Sequence, residues 1–86
     1  MINGIQFKAA RALLRMNQDT LSDLSGVSKA TIQNIENDEE KCKAASMATL
    51  TRIQTALESK GIKFLFGKDK NDINGIGVRL IIEEIE

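Results

Sequence analysis

A single glycine constrains this chain most: Gly26, set between two short apolar-periodic segments in the stretch LSDLSGVSKATIQNIEND, Leu21 to Asp38. Leu21 and Leu24 stand three apart before it, and Ile32 and Ile35 stand three apart after Ser28, so each segment offers one apolar stripe. Asn17 is a good N-cap for a helix over Gln18–Ser25, and Gly26 can adopt the left-handed conformation that ends it. Ser28 caps a second helix, Lys29 to Asn37. The opposite face of that second helix needs an explanation.

Around this unit the helical period continues. Ile5 to Met16 carries Ile5, Ala9, Ala12, Leu13 and Met16 on one stripe, which predicts a first helix with that stripe inward. After Asn37 the run DEEKCKAA is polar and aperiodic, which predicts a solvated loop with Cys42 as an incidental thiol. Ser46 starts the longest pattern, Met47, Leu50, Ile53, Ala56 and Leu57, and Lys60 with Gly61 marks its end. Beyond Gly61 the period becomes two. Ile62, Phe64 and Phe66 alternate with Lys63 and Leu65, and Val78, Leu80 and Ile82 alternate with Arg79 and Ile81, predicting two strands. The turn-rich GKDKNDING between them predicts a long hairpin loop.

Composition narrows the chemistry. Apolar content of 42% supports a core, and aromatic content of 3% makes that core aliphatic. Twelve basic residues balance twelve acidic ones, so polyanion binding has to come from local arrangement. One cysteine and no histidine exclude an intrachain disulfide, a Cys/His zinc site and a Cys–His nucleophile. No paired acid and base and no glycine-rich phosphate loop supports catalysis, and no cofactor is implied. No run approaches the ~18 apolar residues of a membrane span, and the first residues lack a signal peptide's pattern, so the expectation is a soluble, cytoplasmic chain.

On a helical wheel with Ile32 and Ile35 inward, Ala30, Gln33, Asn34 and Asn37 lie furthest from the core, with Lys29 on the flank. A small, amide-rich face is a poor choice for solubility, because asparagine has low helix propensity. It suits a DNA major groove, where Asn and Gln bond adenine N6 and N7, Lys reaches guanine O6 and N7, and alanine meets a thymine methyl.

These residues resemble the phage-repressor-like (Xre/Cro-type) helix-turn-helix family, from about Ile5 to Leu57, through Arg11, the NQDTL run at Asn17, the GVSKATIQNIEN run at Gly26 and the TLTRIQTAL run. The resemblance implies a mainly α fold: a compact, lambda-repressor-like four-helix domain over residues 1–61, followed here by a C-terminal two-stranded β-hairpin over 62–86. It implies that Gln18 meets a phosphate at a helix N-terminus, that Lys29, Ala30 and Asn34 read bases, and that Ser28, Thr31, Gln33 and Asn37 lie nearer the sugar–phosphate backbone. It also implies an ion pair between Arg11 and Glu36. The chain departs from the family at Asp38, where glycine is usual.

The function expected is a sequence-specific double-stranded DNA-binding regulator, a repressor on a palindromic site, since one short helix makes too few contacts for genomic specificity. The competing expectation is an interaction module on the same fold, such as the antitoxin of a toxin partner. The hairpin's apolar residues Ile62, Phe64, Phe66, Val78, Leu80 and Ile82 are expected to form a homodimer interface.

Overall fold

The computed structural model describes residues 2–68 and 74–82. Five helices and a hairpin follow in chain order: α1 Gly4–Leu14, α2 Gln18–Ser25, α3 Lys29–Asn37, α4 Glu39–Ala44, α5 Met47–Glu58, β1 Ile62–Lys68 and β2 Asn74–Leu80. Among the described residues no helix is long and apolar enough to cross a membrane.

The helix starts share one device. Asn17, Ser28 and Ser46 each accept a hydrogen bond from the backbone N–H three residues on, which satisfies a donor the helix leaves open. Asn3 does more. Its side chain accepts from the Ile5 N–H at 2.9 Å while Gln6 Oε1 accepts from the Asn3 N–H at 2.9 Å, completing a capping box.

The described residues form five helices where four are expected, because DEEKCKAA is not a loop. Asp38 Oδ1 accepts from the N–H groups of Glu40 and Lys41, at 3.0 and 3.3 Å, and so caps the short α4. Asp38 also closes α3 through its N–H to Asn34 O, and its extended backbone, φ −140°, explains why glycine is not required here. Cys42 is buried against the core, not an incidental loop thiol. One inward residue in six leaves no period to detect.

The inward face of α1 also differs from expectation. Gly4, Gln6, Phe7 and Ala10 are buried and Leu14 packs against the core, whereas Ile5 is 65% and Leu13 45% exposed. Apolar residues nearly encircle this helix, and the hairpin selects the stripe: the rings of Phe7 and Phe64 meet edge to face with centroids 5.8 Å apart. Leu21, Ile32, Ile53 and Leu57 complete the fully buried set, and Met47, expected inward, is exposed.

In the hairpin, Ile62, Phe64 and Phe66 lie opposite Leu80, Val78 and Ile76. Strand β2 is Asn74–Leu80, shifted from the expected Val78–Ile82, so Ile82 lies beyond the ladder. The ladder stops because β1 begins where the chain leaves α5: Gly61 O accepts from the Ile81 N–H at 2.8 Å, at a glycine with φ 97°. The tip of the expected hairpin loop, residues 69–73, lies outside the described residues.

Gln6 fastens this hairpin to α1. Its Nε2 donates to Leu65 O at 3.1 Å and Gly77 O at 3.0 Å, bridging both strands while its oxygen holds the Asn3 N–H. All polar atoms of this buried amide therefore have partners. Gln6→Ala should cost about 1–3 kcal/mol, the penalty of leaving the Leu65 and Gly77 carbonyls and the Asn3 N–H without their partner, measured as a shift in the urea midpoint. A midpoint equal to wild type would mean that water replaces the amide.

Candidate nucleic-acid interface

The turn between α2 and α3 is set by backbone conformation and one anchor. Gly26 has φ 73°, and a side chain there would meet nothing within 4 Å, so glycine serves the left-handed turn and not a close approach. Val27 is buried next to it. Ser28 Oγ then accepts from the Thr31 N–H at 3.2 Å and donates to Thr31 Oγ1 at 2.8 Å, which starts α3 in a new direction.

Ile32 and Ile35 sink into the core at 1% and 2% exposure, and their burial sets the rotation of α3. Ser28, Lys29, Ala30, Gln33, Asn34 and Asn37 consequently lie on the exposed side, while Thr31 is half-buried. The exposed row carries amides, one ammonium and a methyl, with no carboxylate on α3 among them.

Behind that row, three elements converge on Glu36. Arg11 Nε and Nη2 donate to its two carboxylate oxygens at 2.7 and 2.6 Å, a bidentate pair, and Arg11 Nη1 donates to Met16 O at 3.0 Å. The hydrogen bond to Glu36 raises the Arg11 pKa, against the lowering effect of burial, so the guanidinium stays charged. Gln18 Nε2 donates to Glu36 Oε1 at 3.1 Å, bringing the start of α2 to the same carboxylate. The Gln18 side chain is thus held by Glu36 and keeps one amide hydrogen for another acceptor.

Two neighbours of the exposed row are not suggested by the pattern of α3. Lys29 pairs with Asp19 of α2 at 3.3 Å, and Lys41 of α4 donates from Nζ to Asn34 Oδ1 at 3.4 Å. Both partners come from other elements, so no periodicity within α3 reveals them. Nor does the sequence pattern point to Gly4, which packs directly under the Ile35 carbonyl, where α1 begins and α3 nears its end. For Gln6 a signal exists, since Asn3 followed three residues later by Gln6 is a capping-box pattern.

The hairpin residues divide. Ile62 and Phe64 are buried in the chain's own core and Val78 and Leu80 pack against it, leaving Phe66, Ile76, Ile81 and Ile82 at least half exposed. The physical reason is position along the ladder: Phe66 and Ile76 share the face of Ile62, Phe64, Val78 and Leu80 but lie further toward the turn, beyond the part that covers Phe7, while Ile81 and Ile82 follow the other end.

A helix-turn-helix family model matches residues 7–61, from Phe7 in α1 to the glycine that ends the helical part. The chain belongs to the phage-repressor-like (Xre/Cro-type) helix-turn-helix family. No curated protein and no solved structure matches it. Members of this family are DNA-binding regulators, and this helix-turn-helix chain is a DNA-binding regulator of transcription.

Proposed function

We propose that this helix-turn-helix protein is a sequence-specific repressor that binds a palindromic operator as a homodimer. The observation that carries the reading is the exposed row Lys29, Ala30, Gln33, Asn34 and Asn37, backed by an α3 whose opposite side is locked into the core. Lys29, Ala30 and Asn34 supply the groups that read base edges in the major groove, and Ser28, Thr31, Gln33 and Asn37 supply donors for the backbone. Gln18 adds its remaining amide hydrogen and the N-terminus of α2 for a phosphate.

Dimerisation is assigned to the part of the hairpin that the core leaves uncovered. Phe66 and Ile76 face each other across the strands at 53% and 50% exposure, and Ile81 and Ile82 follow at 54% and 76%. A second copy covering these residues through a two-fold axis would set two recognition helices about 34 Å apart, one turn of DNA.

Asn34→Ala should lose about 1–3 kcal/mol on the selected operator and relax its preference, with little change on unrelated duplexes. Equal operator affinity for wild type and variant would remove Asn34 as a reader. Sedimentation supplies the second arm: the full chain should be a dimer, and Phe66→Asp with Ile76→Asp should dissociate it while keeping the helical spectrum. A full-length chain that stays monomeric at high concentration overturns the homodimer and favours the interaction-module reading, in which another protein covers the hairpin.

A further inference from the structure

Asn34 does not stand alone on the reading face. Lys41 reaches back from the first turn of α4, and its ammonium lies 3.4 Å from Asn34 Oδ1, a long contact between two exposed side chains. The approach is prepared by the backbone. Asp38 closes α3 and caps α4 at once, and Cys42, next to Lys41, is buried, so α4 is held at a set angle to α3.

This placement changes what the asparagine can recognise. An asparagine reads adenine by accepting from N6–H and donating to N7, so a cation beside its oxygen competes with the adenine amino group there. Here the oxygen faces a cation, which also repels the adenine amino group. Guanine presents O6 and N7, two acceptors and no donor, on the same groove edge. The asparagine's NH2 and the remaining N–H groups of an ammonium match that edge.

We infer that Asn34 and Lys41 act as one donor unit that selects guanine over adenine at the base pair facing Asn34. The inference rests on the DNA-reading role proposed for α3 and adds Lys41 to it as a specificity-determining residue.

Selection from a pool of randomised duplex DNA tests it, using the full chain as wild type, Lys41→Met and Lys41→Arg. Lys41 is exposed, so both variants should keep the wild-type circular dichroism spectrum. Wild type and Lys41→Arg should select a site with guanine at one position that Lys41→Met changes to adenine, the guanine-to-adenine affinity ratio falling about tenfold or more. A Lys41→Met variant that weakens all duplexes alike, with a salt slope lower by about one phosphate contact and an unchanged site, would make Lys41 a backbone contact and overturn the inference while leaving the DNA-reading role intact. Adenine in the wild-type site overturns it equally. A wild type that enriches no sequence overturns the reading role and this inference with it.

Discussion

Arg11→Ala should destabilise the chain by about 3–5 kcal/mol, a large part of the ~5–15 kcal/mol by which a domain of ordinary stability is folded. The reason is what the substitution leaves behind. The Glu36 side chain is 1% exposed, and without the guanidinium its carboxylate keeps only the Gln18 amide as a donor. A buried charge that has lost its counter-ion is costly, even though the intact pair does little better than offset its own desolvation. The same logic predicts that Arg11→Met combined with Glu36→Leu recovers most of the loss. Urea denaturation of Arg11→Met, Glu36→Leu and the double variant measures this as a cycle, and a coupling energy within the ~0.3–0.5 kcal/mol scatter of independent sites would show that the pair does not act together. The recovered double variant should still bind DNA poorly, because the carboxylate that gathers α1, α2 and α3 is gone.

The second large effect is expected from a single methyl group. Alanine at Gly4 would place its Cβ inside the radius of the Ile35 carbonyl oxygen and 2.8 Å from the carbonyl carbon, with the Glu36 Cα at 3.1 Å. All three are backbone atoms, so no side chain can rotate away, and α1 has to lift from α3. Overpacking of this kind costs about 1–3 kcal/mol and sometimes more. Against it stands the better helix propensity of alanine, about 0.5–1 kcal/mol, which is the smaller quantity. Gly4→Ala should therefore lower Tm by roughly 5–20 °C, at about 4–8 °C per kcal/mol for a domain this small. It should also weaken operator binding below the transition, since the end of α3 moves. A Tm equal to or above that of wild type would show that α1 yields without consequence.

How much of this is legible in the amino-acid order depends on where each constraint originates. The bounds of α2 and α3 can be read residue by residue, because Asn17, Gly26 and Ser28 act on their own neighbours in the chain. The exposed side of α3 follows from Ile32 and Ile35 by the same local reasoning. The inward side of α1 is not legible: Ile5, Phe7, Ala9, Ala10, Leu13 and Leu14 permit more than one stripe, and the choice is made by Phe64, far along the chain. Strand β2 is misplaced for a related reason, as Gly75 and Gly77 interrupt the alternation that would include Ile76. In the candidate site, the amide row is visible beforehand but its neighbours are not. Asp19 and Lys41 reach α3 only once the turn and α4 have formed.

The amide of Gln6 has a consequence for exchange of parts between proteins. With one group on the cap of α1 and the other on both strands of the hairpin, it makes the tail a structural requirement of the head. A chimera that kept the helical portion of this chain and took its C-terminal segment from elsewhere would inherit a buried NH2 group facing nothing, beside a hole the size of Phe64. Such a graft would succeed only if the new segment carried two carbonyls and an aromatic ring to the same spot, so the tail and the first helix have to change in step.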